Sequence, residues 1–173
     1  MMDLIVNVTA DWGIGMGDRL LVAIRADLRH FRDYTLGKTV ILGRKTLQTY
    51  PGGRPLKGRR NLILSGNPAL EVPGAEVVHG LDELFAALDP EEEAVVIGGE
   101  SVYRLLLPYC SRASITKTAV QMPADRFFPN LDELDNWQME TEGELQEENG
   151  ICFRFYDYVN LDPLSCQKPG ETP

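Results

Sequence analysis

Apolar positions along this chain recur with two periods. Short apolar runs rich in β-branched residues, the form taken by strands buried on both faces, occupy residues 3–9, 38–42, 61–64, 75–78, 94–97 and 113–118. Between them the apolar positions space themselves as on a helix. Leu81, Leu84, Phe85 and Leu88 predict a helix stopped before Pro90, and residues 102–107 predict another that ends at Pro108. Residues 137–142 and 151–158 predict a terminal antiparallel hairpin around the acidic stretch 144–150. Strands separated by single helices indicate an α/β domain with a mostly parallel sheet and one antiparallel end.

One helical stripe departs from the pattern. Ile24, Asp27, Leu28 and Phe31 fall at i, i+3, i+4 and i+7, so three apolar side chains and a carboxylate share a face, while Arg25, Arg29 and Arg32 take the solvated one. A carboxylate on a buried stripe is costly without hydrogen-bond partners. Asp27 either meets a cationic or amidine-like ligand group at the mouth of an apolar pocket, or complements the helix dipole from the first turn. Asn7 interrupts the first apolar run and needs a partner for its amide. Residues 12–18, with Gly13, Gly15 and Gly17 alternating, form a flexible loop of the kind that closes over substrates, although a plain connector would look the same. Residues 50–60 form a basic, Pro/Gly-rich loop, and residues 161–173, with few apolar groups, are expected to be disordered after a single domain over 1–160.

Composition narrows the classes. The chain has 173 residues, 43% hydrophobic and 25% charged, which suits one domain with a sizeable core. No apolar run is long enough to span a membrane, and no basic stretch followed by an apolar one marks a signal peptide. Three scattered cysteines, Cys110, Cys152 and Cys166, indicate neither a metal site nor a disulfide framework, and point to the cytoplasm. The net charge of −9 conceals a basic band: eleven of seventeen Lys/Arg and two of twenty-six Asp/Glu lie between residues 19 and 60. Such a band can steer an anionic partner, but the overall charge and 8% aromatic content count against nucleic acid.

In parallel sheets, ligands bind beyond the carboxyl ends of the strands. Three predicted strands end in groups suited to phosphate: Gly43-Arg44-Lys45-Thr46, Ser65-Gly66 and Gly98-Gly99-Glu100-Ser101. Two of these open helices, whose free N–H groups favour anions. One such junction is ordinary loop chemistry, whereas three in one small domain argue for a nucleotide or dinucleotide.

The chain then resembles a known family. Ile14-Gly15-Met16, Ala26-Asp27-Leu28-x-x-Phe31, Val40-Ile41-Leu42-Gly43-Arg44-Lys45-Thr46, Gly53-Arg54-Pro55-Leu56-x-Gly58-Arg59-x-Asn61, Ile97-Gly98-Gly99-x-x-Val102-Tyr103 and Phe127-Phe128-Pro129 are similar to the motif series of dihydrofolate reductases, in order and nearly in spacing. The resemblance covers residues 2 to 159. It implies a three-layer fold with a mostly parallel eight-stranded sheet flanked by helices, NADPH as cofactor and 7,8-dihydrofolate as substrate. Catalysis would involve Asp27, Tyr103 and Thr116, with Thr116 bracing Asp27. Ile5, Leu28, Phe31, Tyr50, Leu56 and Ile97 would wall the substrate, and Arg59 would clamp its glutamate α-carboxylate. Ile14, Gly15, Gly43, Arg44, Lys45, Thr46, Leu64, Ser65, Gly66, Gly98, Gly99, Glu100, Ser101, Val102 and Tyr103 would hold the cofactor, with Asn7 meeting both ligands. The Gly98–Gly99 peptide would be cis. A monomer binding small molecules alone, dihydrofolate and antifolates among them, is expected.

Departures are local. The family's Pro-Trp-x-Leu-Pro is Leu21-Val22-Ala23-Ile24-Arg25 here, and its small first-strand residue is Asn7. Without the indole, the lid over residues 13–22 is expected to be more mobile than the family norm. Two rivals share some of these signals: a same-fold reductase of a ribosylated pyrimidine in riboflavin synthesis, and a non-enzymatic nucleotide-binding module. The first would not need an Asp27–Thr116 pair or Arg59 for a glutamate tail, and the second would bind NADPH tightly without substrate-dependent oxidation.

Overall fold

The computed structural model describes residues 1–17 and 19–167. Its first half holds β1 (Met2–Val8), β2 (Gly13–Met16), β3 (Arg19–Leu20), α1 (Arg25–Thr35), β4 (Thr39–Gly43), α2 (Arg44–Thr49), β5 (Arg60–Leu64) and β6 (Glu76–Val78). There follow α3 (Leu81–Ala87), β7 (Ala94–Val96), α4 (Glu100–Leu106), β8 (Arg112–Thr118), β9 (Arg126–Phe127), β10 (Trp137–Glu142), β11 (Gln146–Glu148) and β12 (Ile151–Asn160). The main sheet runs β10-β12-β8-β1-β7-β4-β5-β6, with β11 beside β12. Neighbours from β8 to β6 are parallel, and β12 lies antiparallel to both β8 and β10. This is the expected α/β fold, an eight-stranded path with an antiparallel C-terminal pair.

Alternation along the strands explains why their sequences are apolar throughout. Val40 and Leu42 join Ile5, Ile63, Val95 and Ile97 in one core, against Phe31 and Tyr34 of α1. Ile41, Leu62, Val96, Leu4 and Val6 turn to the other face, against Leu84 and Phe85 of α3 and Val102 and Leu106 of α4. Each fully buried Leu or Ile contributes about 1.5–3 kcal/mol, so both faces must be covered. Helices thus lie on both sides of the sheet. β7 returns between β1 and β4, and the strand order reverses there, which opens a crevice at the carboxyl ends.

Two expectations change. Residues 12–17 are not a free loop: β2 pairs antiparallel with β3 and β9, and the Gly17 N–H donates to both Asp125 carboxylate oxygens at 3.0 Å. A Cβ at Gly13 would stand 2.8 Å from Thr9 Oγ1 and 2.9 Å from Ala124 Cβ, so this glycine serves close packing. Asp18 lies outside the described residues. The α1 stripe is also split: Ile24 is 1% exposed, but Leu28 is 52% exposed and Asp27 and Phe31 are half-buried. The helix instead meets the antiparallel end through His30, whose Nε2 lies 2.8 Å from Ser114 Oγ and whose ring is 4.5 Å from Phe155. At the C-terminus, residues 161–167 are exposed but make backbone hydrogen bonds from Leu161 to Asn136 O and from Leu164 to Pro108 O, each 2.8 Å. Residues 168–173 lie outside the described residues.

Candidate active site

The site starts from strand register. Asn7 of β1 pairs with Thr116 of β8, so both side chains emerge on the same face, beneath α1. Asp27, in the first turn of α1, comes down between them. Asn7 Nδ2 donates to Asp27 Oδ2 at 2.9 Å, and Thr116 Oγ1 donates to Oδ1 at 2.5 Å. The interrupting amide and the carboxylate on the apolar stripe therefore answer each other. Each carboxylate oxygen keeps a further acceptor site, and Asp27 borders open space.

That space is a cleft of about 880 Å³. One end is apolar and closed by the carboxylate: Ile5, Asn7, Asp27, Leu28, Phe31, Tyr50 and Ile97 line it. Burial pushes the Tyr50 phenol up to about 12. The other end runs over the three strand–glycine junctions, with Gly43, Arg44, Lys45 and Thr46 on one side and Leu64, Ser65 and Gly66 beyond. Gly98, Gly99, Glu100, Ser101, Val102 and Tyr103 form its floor, and Ile14 and Gly15 of β2 line it as well.

The floor is built on a cis Gly98–Gly99 peptide. Gly98 has φ +112°, and a Cβ there would approach the Tyr103 ring to 3.1 Å, so only glycine fits. Gly98 O accepts the Gly43 N–H at 2.9 Å, tying two junctions together. Tyr103 Oη donates to Ile5 O at 2.7 Å, and burial holds its phenol far above the usual range, so it stays a donor. The Glu100 carboxylate is engaged elsewhere, accepting from Arg104 Nε at 3.1 Å and from the Phe127 N–H at 3.3 Å.

Two expected substrate contacts stand apart from the cleft lining. Leu56 packs with Phe31 and Tyr50 in the core behind the wall. Arg59 donates from Nε to Thr35 Oγ1 and from Nη1 to Lys57 O, both at 2.9 Å, and burial lowers its pKa. Thr116 acts from behind Asp27. The lining residues that were not expected are Val6, Gly17, Thr49, His79, Gly80, Arg104, Leu105 and Arg126. Thr49 shares a short helix with Thr46, and Arg104 is i+4 from Glu100, so both had a local signal. Arg126 had none, because β9 reaches the cleft only by pairing with β2. His79 follows the short strand β6, and its Nδ1 lies 2.8 Å from Ser65 O.

The residues fit a dinucleotide. The volume lies at the upper end of the range for small-molecule sites. Glycines stand where side chains would fill the cradle: a Cβ at Gly43 would meet Val102 at 3.2 Å, and one at Gly99 would meet Thr46 Oγ1 at 3.1 Å. Arg44, Lys45, Thr46, Ser65 and Ser101 supply donors along the same wall.

A doubly covered parallel sheet, a cleft at its carboxyl ends, cations at one end and a braced carboxylate at the other define a nucleotide-binding α/β enzyme with a separate substrate end. Residues 1–160 match the sequence model of the family described as Dihydrofolate reductase, and the chain belongs to that family. It is 36% identical over 162 residues to the dihydrofolate reductase of Mycobacterium tuberculosis, covering 91% of this chain and 97% of that one. It is 39% identical over 138 residues to the type 3 dihydrofolate reductase of Salmonella typhimurium, covering 80% and 83%. Among solved structures, the dihydrofolate reductase of Enterococcus faecalis complexed with NADP(H) and RAB-propyl superposes with a TM-score of 0.84 at 28% identity, covering 94% of this chain and 97% of that one.

Proposed function

We infer that this chain is an NADPH-dependent dihydrofolate reductase, converting 7,8-dihydrofolate to 5,6,7,8-tetrahydrofolate. The observation that carries this reading is Asp27, a carboxylate held by Asn7 and Thr116 at the apolar end of a cleft whose other end suits a dinucleotide. A pterin offers an amino group and a ring N–H to one carboxylate, in the bidentate geometry Asp27 can accept. When bound, NADPH supplies the hydride that reduces C6 of the pterin.

The chain's own residues do the rest. Asn7 and Thr116 fix the plane of the Asp27 carboxylate before substrate arrives. Asp27 orients the pterin and polarises it towards protonation at N5. Ile5, Leu28, Phe31 and Ile97 exclude water from the ring, and positioning of this kind supplies a large share of a rate enhancement. Arg59, its guanidinium plane set by Thr35 and Lys57, takes the glutamate α-carboxylate at the outer end. Arg44, with Ser65, takes the 2′-phosphate of the cofactor, while Lys45, Thr46 and the α4 junction take the pyrophosphate. Antifolates compete for Asp27. The enzyme works as a monomer in the cytoplasm, a placement supported by its free Cys110, Cys152 and Cys166. Among the described residues no helix is long and apolar enough to cross a membrane.

The test is NADPH oxidation by the purified chain with dihydrofolate or with the ribosylated pyrimidine of riboflavin synthesis. Oxidation with dihydrofolate alone is expected. Turnover of the pyrimidine alone, or NADPH binding without turnover of either, would overturn the reading.

A further inference from the structure

Thr116 turns towards Asp27, and its neighbour Lys117 turns to the opposite face of the sheet. There the Lys117 ammonium lies 4.6 Å from the ring centroid of Trp12, 4.7 Å from Tyr156 and 5.1 Å from Tyr158. It donates to Tyr158 Oη at 2.6 Å and to Asp132 Oδ2 at 3.0 Å, and Tyr158 Oη donates to Asp132 Oδ1 at 2.7 Å. The side chain is 22% exposed. Cation–aromatic contacts are scattered through proteins at about one per 70–80 residues, so three rings around one ammonium is a concentrated device.

The rings come from different parts of the fold. Tyr156 and Tyr158 are on β12, in the same sheet as Lys117, whereas Trp12 stands at the root of the lid, immediately before β2. Trp12 has φ +65°, a conformation that a bulky residue rarely adopts and that persists only where its surroundings over-determine it. The next residues along the chain include Ile14 and Gly15, which line the cleft. Trp12 also stacks on Phe128 at 6.3 Å, and Phe128 meets Tyr103 edge-on at 5.0 Å. Two short paths thus lead from Lys117 to the cofactor end, one through the lid and one through Tyr103.

We propose that Lys117 is a positioning residue: its ammonium, boxed by Trp12, Tyr156, Tyr158 and Asp132, fixes the root of the lid so that Ile14 and Gly15 are held over bound cofactor. This rests on the reading of the cleft as an NADPH site. Lys117 touches neither ligand, so its effect belongs to cofactor affinity and not to the chemical step. A purely structural role would lower global stability and leave the cofactor parameters alone.

The test uses the full chain with Lys117→Met, which keeps the stem and drops the charge, Lys117→Arg, which keeps the cation, and Trp12→Leu. Wild-type turnover of dihydrofolate is measured first; its absence would refute the reading of the site, independently of the box. In Lys117→Met the KM for NADPH is expected to rise roughly threefold to tenfold, from the range of cation–aromatic energies. The KM for dihydrofolate and kcat stay within about twofold, and hydrogen exchange of residues 13–17 quickens. Lys117→Arg restores both, and Lys117→Met adds little in a Trp12→Leu background. An NADPH KM and lid exchange unchanged in Lys117→Met, whatever the urea midpoint does, would overturn the proposal, as would full additivity with Trp12→Leu. Should Lys117→Met not fold, Trp12→Leu alone is read by the same two criteria.

Discussion

Asp27 is reached by one donor from each of two adjacent strands, and that arrangement decides what substitutions there should do. Asp27→Asn keeps the shape but turns one acceptor oxygen into a donor; the amide can place its NH2 against Thr116, whose hydroxyl can turn to accept, but one N–H of the pterin then meets a donor. We expect kcat/KM for dihydrofolate to fall roughly 10²- to 10⁴-fold, with NADPH affinity and the urea midpoint nearly unchanged. Wild-type turnover in this variant would remove Asp27 from the mechanism. Asn7→Ala is subtler: it frees an acceptor site on Oδ2 but leaves Thr116 as the single brace. A KM for dihydrofolate about twofold to tenfold higher is expected, the worth of one ordinary hydrogen bond. At the cofactor end, Arg44→Ala should cut the preference for NADPH over NADH by roughly 10- to 100-fold, because a charge-assisted contact to the 2′-phosphate is lost. An unchanged ratio of kcat/KM values for the two cofactors would show that the discrimination resides elsewhere.

At the scale of elements, α1 shows how a departure from the family pattern is accommodated. The family's proline is Arg25 here, and the Arg25 N–H, which a proline would lack, donates to Glu148 Oε2 at 2.6 Å. The Ala26 N–H donates to Oε1 at 3.3 Å, so a carboxylate from β11 caps the helix that carries Asp27. Val22, in the place of the family's indole, is buried with Ile24 and Phe153. Glu148→Ala should lower the unfolding free energy by about 1 kcal/mol, measured by urea titration, and a change within error would mean the cap is worth nothing in solution. This cap also marks the limit of what the sequence makes legible. The parallel strands and the glycine junctions are local signals, a β-branched run or a strand meeting Gly-Gly, and they stand within a residue or two of expectation. The Asp27–Thr116 pair rested on family resemblance alone. The cap links residues 122 or more apart, and β2 is paired by the two-residue strand β9, too short to show a period. The α1 stripe misled for a related reason: a cleft wall and a core face have the same apolar spacing, and only tertiary structure shows that Leu28 faces open space.

Across the whole molecule, ligand chemistry gathers at the carboxyl ends of the strands, and the opposite end of the sheet pays for a different compromise. Part of the basic band is absorbed structurally: Arg60 alone binds Glu76 at 2.8 Å and Glu92 at 2.9 Å. At the amino end of β1, Asp3 Oδ1 is enclosed without a hydrogen-bond partner among the described residues. Burial raises the Asp3 pKa above its ordinary 3.8, with the charges of Lys38 and Arg112 offsetting only part of the effect. Tyr34 beside it is pushed up as well, by burial first and then by the Asp3 charge. The folded chain therefore holds this proton more tightly than the unfolded one, and stability falls as pH rises from the unfolded value through the folded value. The penalty grows as pH rises from the ordinary 3.8 through the folded value, and it fades below about pH 4, where both states take up the proton. Asp3→Asn removes the charge with little change of shape and lies far from the cleft. It should be more stable than wild type by about 1 kcal/mol at neutral pH, with the two urea midpoints converging towards pH 4 and turnover of dihydrofolate unchanged. Midpoints that run parallel across that range, or a variant less stable at neutral pH, would show that Asp3 finds its compensation in solution.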